Sequence, residues 1–368
     1  MSLNETTAAQ ARTLAILRGL LAQPSGNEDD PFARVVLQPA SGGRVDLTAE
    51  APGDAGDDAI RGALRRALEE YRAQKGGAPA RVAIGGLSAR AVEREAQSDA
   101  APLRGKIAVV TGAAGAIGAG ICRGLLAKGC RVAATDLRQD ALDALVAEFA
   151  SEFAGRIVGF QMDVTDAPSV ADAFTRTVNA WGGVDIVIVN AGIAMVAGLL
   201  EMEPEAFRRL ERVNVDGTLL TLAEAGRWLR RQGTGGDIVL VSTKNVFAPG
   251  AQFGAYSATK AASHQLARIA SLEFAPFGVR VNMVSPDAVF SDGARQSGLW
   301  AEVGPSRMKA RGLDEKGLEE YYRGRNLLKA RVTAQHVANA VLFFATRQTP
   351  TTGATIPVDG GLPDATPR

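Results

Sequence analysis

Tyr256 and Lys260 stand four residues apart in Tyr256-Ser257-Ala258-Thr259-Lys260. On a helix that spacing puts both side chains on one face. A phenol with an ordinary pKa of about 10 is too weak an acid or base for work near neutral pH. An ammonium held beside it favours the phenolate and lowers that pKa. The pair could then move a proton to or from an alcohol oxygen. Ordinary surface helices produce the same spacing, so its weight depends on a second motif far upstream.

That motif is Thr111-Gly112-Ala113-Ala114-Gly115-Ala116-Ile117-Gly118. It follows the apolar run Ile107-Ala108-Val109-Val110, which reads as a buried strand. It precedes Ile121, Leu125 and Leu126, which fit one face of a helix. The glycines therefore occupy a strand-to-helix turn. There a backbone can approach a pyrophosphate, and the helix start offers free N–H groups and a positive dipole end. A second strand, Arg131-Val132-Ala133-Ala134-Thr135, ends at Asp136, eighteen residues after Gly118. A carboxylate there can accept hydrogen bonds from ribose hydroxyls and would repel a 2′-phosphate. NAD is therefore expected over NADP, although Arg138 lies close by and works against that choice.

Together these residues resemble the short-chain dehydrogenase/reductase family, over roughly residues 103–362. The resemblance implies an α/β fold, a doubly wound parallel sheet of Rossmann type. The family's Thr-Gly-x-x-x-Gly-x-Gly turn corresponds to residues 111–118, with Gly112, Gly115, Ile117 and Gly118 lining the cofactor and Ala116 where the family has its middle glycine. The aspartate that touches adenine corresponds to Asp163, followed by Val164. The family's Asn-Asn-Ala-Gly strand end corresponds to Val189-Asn190-Ala191-Gly192, lacking the first asparagine. Pro286 closes the nicotinamide side. The family's catalytic asparagine corresponds to Asn214. Its catalytic serine lies thirteen residues before the tyrosine, a position held by Thr243. Ser242 is the neighbouring alternative. Successive strand residues point to opposite faces, so only one of the two faces the site; Thr243 is expected.

The resemblance also implies a mechanism. Tyr256 as phenolate accepts the alcohol proton while hydride passes to the nicotinamide. Lys260 lowers the tyrosine pKa and binds the nicotinamide ribose. Thr243 orients the reacting oxygen, and Asn214 positions a water that relays protons. No metal is expected. His264 and His336 are far apart on predicted helices and read as surface or packing residues.

The elements that must carry these residues follow from pattern. Strands are expected at 107–111, 131–135, 157–161, 185–189, 237–242, 279–284 and 354–358, alternating with helices. A helix from about 255 to 275 has Leu266, Ile269 and Leu272 on a packing face. The resemblance implies a homo-oligomer, dimer or tetramer, built through this helix and the one after the fourth strand. Residues 1–102 have no counterpart in the minimal family fold. They read as a helix at 7–23, strands at 32–38 and 44–48 flanking Ser41-Gly42-Gly43, an amphipathic helix at 57–75 and a strand at 81–84. A helical or flexible linker is expected over 86–102. This is a small α+β appendage expected to pack on the core or a neighbouring subunit, with a disordered arm as the alternative.

A net charge of +1 and 46% hydrophobic residues describe a globular chain with no basic excess for nucleic acid. No apolar stretch reaches transmembrane length, and Met1-Ser2-Leu3-Asn4-Glu5 lacks the features of a leader. Cys122 and Cys130 read as buried thiols. A cytoplasmic enzyme acting on a small molecule is expected.

The substrate side begins at Ser285-Pro286-Asp287-Ala288-Val289-Phe290, with a lid over 287–327. Its charges balance, which suits a solvated lid of charged helices. A sharper reading has an arginine clamping an anionic or hydroxyl-rich substrate. Thr243-Lys244-Asn245, Ala248-Pro249-Gly250, Pro286-Asp287-Ala288-Val289 and Tyr321-Tyr322-Arg323-x-Arg325 resemble the dehydrogenase half of bifunctional rhamnulose-phosphate aldolase/short-chain dehydrogenase proteins. That half is associated with lactaldehyde oxidation; the aldolase half has no counterpart here. A polyol, sugar or small hydroxy-carbonyl substrate follows. Two other readings stand beside it: a non-catalytic dinucleotide sensor or scaffold, and an epimerase or dehydratase using the same site.

Overall fold

The structure is a computed structural model and describes residues 3–40, 42–50, 55–85, 89–292 and 295–364. Helix α1 (Leu3–Leu21) buries Leu14, Leu17 and Leu21. Strands β1 (Gln23–Pro24) and β2 (Phe32–Ala33) form a short antiparallel pair. Next come β3 (Val36–Pro39), β4 (Leu47–Ala49), helix α2 (Asp57–Lys75), β5 (Arg81–Ile84) and β6 (Arg90–Glu93). These strands form one sheet in the order β3-β6-β5-β4. Helix α2 buries Ile60, Leu64 and Leu68, and it stops at Gly76 in the left-handed conformation.

Two expectations change in this segment. The strands on either side of Ser41-Gly42-Gly43 do not pair with each other: β3 and β4 are opposite edges of the sheet. Ser41 itself lies outside the described residues. The stretch 86–102, expected as a linker, supplies β6, which pairs with both β3 and β5; residues 86–88 lie outside the described set. The strand is four residues long, and one of its buried positions is Arg90. Arg90 is tolerated there because it donates to the Asn179 carbonyl at 2.7 Å. A charged residue at a core position erases the apolar alternation that marks a strand.

The second part of the chain runs β7 (Ile107–Thr111), α3 (Ala116–Ala127), β8 (Arg131–Asp136), α4 (Gln139–Ala150), β9 (Ile157–Gln161), α5 (Ala167–Trp181) and β10 (Ile186–Val189). It continues through α6 (Pro204–Glu211), α7 (Gly217–Gln232), β11 (Gly236–Val241), α8 (Gly254–Glu273) and β12 (Val279–Pro286). A hairpin of β13 (Ser291–Asp292) and β14 (Arg295–Gln296) leads to α9 (Gly298–Arg311) and α10 (Glu315–Arg325), then α11 (Ala334–Ala345) and β15 (Thr355–Val358). Seven parallel strands lie in the order β15-β12-β11-β10-β7-β8-β9. The order reverses between β10 and β7, which creates a crevice at their carboxyl ends. Alternate strand residues serve opposite cores. Ile107 and Val109 pack with α5, α7 and α8, while Ala108 and Val110 pack with α3, α4 and α11. The core of the first hundred residues is continuous with the former.

That junction is ionic as well as apolar. Arg18 of α1 makes a bidentate pair with Asp185, at 2.7 and 2.9 Å, and both are 1% exposed. Arg34 approaches Asp185 at 3.0 Å and Asp30 at 2.6 Å. Asp30 also meets Lys106 at 2.6 Å and Arg347 at 3.2 Å; Arg347 continues to Asp237 at 2.9 Å. Burial alone would raise the Asp185 carboxyl, but Arg18, Arg34 and the Ile107 amide hold it below the usual range. Burial would likewise raise Asp30, and Arg34, Lys106 and Arg347 overcome it.

One packing expectation is met only in part. Leu266 packs against the core, whereas Ile269 and Leu272 are 41% and 76% exposed. Position on α8 alone cannot tell a core-facing leucine from one facing outward.

Breaking a buried pair leaves an uncompensated charge, typically costing about 3–5 kcal/mol. Asp185→Asn and Arg18→Met should each lower unfolding stability by that order in urea titrations. The two depressed carboxyls add stability that is fully present above the unfolded carboxylate pKa of about 4 and is lost as pH falls through their lower folded values. The wild-type urea midpoint should therefore drop as pH falls below about 4, and Asp185→Asn should flatten that dependence.

Candidate active site

The glycine turn is held by the neighbouring strand. The Thr111 hydroxyl accepts from the amides of Asn190 and Ala191, both at 2.9 Å. The Asn190 side chain donates back to the carbonyls of Thr111 at 2.8 Å and Gly112 at 3.0 Å. Asn190 thus locks the turn to the end of β10. Gly112 has φ +62, and a Cβ there would lie 2.9 Å from the Ala191 Cα. A Cβ on Gly118 would lie 2.3 Å from the Gly112 carbonyl oxygen. Gly115 caps α3 with no side-chain hydrogen bond, which leaves the first amides of the helix for a ligand. Ala116 is buried, and Ile117 packs on the α3 side of the core.

Asp136 sits beside this turn. Its carboxylate accepts from the Ala114 amide at 3.0 Å and the Arg138 amide at 3.1 Å. An ionised carboxylate offers about four acceptor positions, so capacity remains for ribose hydroxyls. Asp163 accepts from the amide and hydroxyl of Thr165, both at 2.8 Å. Val164 packs where α7 begins, within 2.8 Å of a Cβ built on Gly217. A Cβ on Gly192 would lie 3.2 Å from Asn214 Oδ1 and 3.9 Å from Lys260 Nζ, so a side chain there would crowd Asn214. Pro286 ends β12 at the same edge of the sheet, opposite Val358. These features fit a dinucleotide lying along the carboxyl edge.

Tyr256 and Lys260 project from α8, and both are buried. Thr243 lies close enough to the Tyr256 phenol to favour its ionised form. Ser242 turns the other way, its Oγ 2.9 Å from His264 Nδ1. The period-two alternation of the strand end therefore places Thr243, not Ser242, beside the tyrosine. Burial lowers the His264 pKa to about 4, so the ring is neutral near pH 7. Asn214 lies in a π-helical turn (Arg212–Asp216) between α6 and α7. Its side chain pairs with both backbone groups of Ile193 at 2.9 Å and donates to Thr259 at 3.0 Å. Such turns often mark functional positions; no sequence pattern signalled this one.

One expectation is not met: Lys260 does not draw the Tyr256 pKa down in this arrangement. Burial pushes the phenol up to about 12, opposed by the nearby Thr243 side chain. Burial brings Lys260 down to about 8. The ammonium donates to the Val241 carbonyl at 2.8 Å, and desolvation dominates at both groups.

The structure shows what the arginines and aromatic residues of the lid touch. Arg295 on β14 donates to the Ala114 carbonyl at 3.2 Å and pairs with Glu148 at 2.7 Å, tying the hairpin to the glycine turn. Phe290 stacks on Trp300 at 4.5 Å, and Tyr322 meets Trp300 edge-on at 5.0 Å. Val303 of α9 packs with Ala194, Phe253 and Tyr256. The lid is thus polar outside and aromatic within. Sequence spacing carries no signal for contacts between segments so far apart.

The family model described as short chain dehydrogenase matches residues 106–302. The chain belongs to the short chain dehydrogenase family. It is an oxidoreductase of that family, whose members bind NAD(P). It is 37% identical over 265 residues to the uncharacterized oxidoreductase YuxG of Bacillus subtilis, spanning 72% of this chain and 38% of that one. It is 32% identical to L-xylulose reductase of Homo sapiens, over 71% of this chain and 97% of the relative. A short-chain type dehydrogenase/reductase from Mycobacterium marinum superposes with a TM-score of 0.63 at 28% identity, covering 72% of this chain and 98% of that one. Among the described residues of this short chain dehydrogenase, no helix is long and apolar enough to cross a membrane.

The glycines of the turn differ in a way that can be measured. A Cβ on Gly115 would have only the Gly112 carbonyl near it, at 3.5 Å. Gly115→Ala should keep the wild-type melting temperature yet weaken dinucleotide binding in a fluorescence titration. Gly118→Ala should lower the melting temperature as well, because its Cβ collides with backbone.

Proposed function

We propose that this chain interconverts a secondary alcohol and its carbonyl with NAD as cofactor. The observation that carries the reading is the placement of buried Tyr256 beside Thr243, one helical turn from buried Lys260 and at the same sheet edge as the glycine turn. The bound nicotinamide supplies or takes up the hydride. Gly112, Gly115, Ala116, Ile117 and Gly118 hold the pyrophosphate, Asp136 the adenosine ribose, and Asp163 with Val164 the adenine. Asn190, Ala191, Gly192 and Pro286 border the nicotinamide half, together with Tyr256 and Lys260.

Tyr256 accepts the hydroxyl proton in oxidation and returns it in reduction. Thr243 holds the reacting oxygen beside the phenol. Lys260, with its pKa brought to about 8, changes charge close to neutral pH and passes protons onward. Asn214, pinned to Ile193 and Thr259, holds the water that links Lys260 to solvent. Asp136 favours NAD, since a 2′-phosphate beside a carboxylate is repelled.

A polyol, sugar or small hydroxy-carbonyl is the proposed substrate. The name of the human L-xylulose reductase supports this. So does the likeness of the lid and of Thr243-Lys244-Asn245 to the dehydrogenase half of rhamnulose-phosphate aldolase fusions. We also propose assembly of copies into a dimer or tetramer, because Leu219 of α7 and Leu272 of α8 present 49% and 76% of their surface to water.

Tyr256→Phe should lower kcat/KM by about 10²- to 10⁴-fold while dinucleotide binding survives. The assay is absorbance of reduced nicotinamide across a polyol and sugar panel; near-normal turnover in this variant would remove the proton-transfer role. Asp136→Ala should lower the NAD-to-NADP preference by roughly tenfold, about the value of one charge-assisted hydrogen bond. An unchanged ratio would refute the ribose role.

A further inference from the structure

Beyond Thr243 and Tyr256 the site holds more positive charge than it pairs. Arg307 of α9 is 5% exposed, and its guanidinium lies 4.9 Å from the centre of the Phe253 ring. Phe253 in turn packs edge-on against Tyr256 at 6.1 Å. The polar partner of Arg307 is Gln252, at 3.4 Å, and its Nε has no hydrogen-bond partner among the described residues. Lys244 directly follows Thr243, and its ammonium donates to the Ala248 carbonyl at 3.1 Å. Arg325 of α10 pairs with Asp287, lies over the Tyr322 ring at 4.1 Å, and also keeps a buried Nε without a partner. Burial lowers the Lys244 pKa to about 8, and the charges of Arg325 and Arg307 push the same way; Asp287 and Asp364 offset only part of it.

A buried guanidinium without a carboxylate is costly, and a cation–π contact recovers only a fraction of that cost. Arg307 and Lys244 have no carboxylate within ion-pair distance among the described residues, so an added anion would stabilise them. Resting on the oxidoreductase reading above, we infer that Lys244, Arg307 and Arg325 bind an anionic group of the substrate, a carboxylate or a phosphate, at the end remote from the reacting carbon. The guanidinium forks suit either group, since both present paired oxygens. Specificity then comes from the lid. Tyr256 and Thr243 act on the hydroxyl, while α9 and α10 select the charged end.

The test compares three matched substrates: threitol, threonate and threitol 4-phosphate. Wild-type enzyme is expected to show a higher kcat/KM for at least one anionic member than for threitol. Which anionic member leads tells carboxylate from phosphate. In Arg307→Gln the anionic-to-neutral ratio of kcat/KM should fall by roughly 10- to 100-fold, and Arg307→Lys should restore part of it. A wild-type preference for threitol, or a ratio that Arg307→Gln leaves untouched, overturns the inference. Melting curves check that each variant is folded. If none of the three is turned over although NAD binds, the oxidoreductase reading is in question by itself. A calorimetric titration with inorganic phosphate then decides separately. Saturable binding that Arg307→Gln and Lys244→Gln each weaken supports the anion site, and no binding to wild type overturns it.

Discussion

Asp185 is a carboxylate with almost no contact with water, placed just before a central strand. Its charge is balanced by Arg18 from the first helix and Arg34 from the segment after it. An ion pair so deep is stable only when both partners are fully hydrogen-bonded. Here the Ile107 amide and the Gln232 side chain also donate to Asp185. The same cluster links Lys106, at the start of β7, with Asp237 at the start of β11 and Arg280 at the start of β12. The amino ends of the central strands are thereby fixed to one another and to the N-terminal segment.

With that edge tied down, the proposed site lies at the opposite one. The carboxyl ends of β7, β10, β11 and β12 bring Gly112, Asn190, Thr243 and Pro286 to one rim. Helix α8 sets Tyr256 against Thr243 there. The two edges handle charge differently. At the amino edge, buried cations and carboxylates largely meet one another. At the carboxyl edge, Lys260 and Arg307 are buried without a carboxylate partner among the described residues. Groups left in that state respond to whatever binds beside them, as a site for a charged cofactor and a polar substrate requires.

The lid belongs to this second edge. Its helices keep their charged faces outward and pack Trp300, Tyr322 and Phe290 together. Val303 and Arg307 of α9 face Phe253 and Tyr256, while Arg295 reaches back to the glycine turn. This one insertion therefore touches both the glycine turn and the residues beside Tyr256.

Much of this was legible in the residues themselves. The glycine turn, Asp136 and the Tyr256–Lys260 spacing are local patterns, and local geometry decides where they fall. The seven parallel strands read correctly; the central ones are buried and apolar along their length, whereas the edge strands β9 and β15 are only partly buried. Counting back from Tyr256 picked Thr243 over Ser242; in the structure Ser242 turns to His264 and Thr243 lies beside Tyr256. Strand β6 escaped because its buried Arg90 hides the pattern. The outward face of Leu272, the π-turn under Asn214 and the partners of the lid arginines escaped for a common reason. Each depends on groups far apart in sequence. The pKa directions of Tyr256 and Lys260 escaped too, because burial outweighs the pair's mutual attraction. The chain's own pattern thus determines its strands, its turn and its family. The tertiary structure alone decides charge, burial and which distant side chains meet, because those depend on the distance between elements and not on their order.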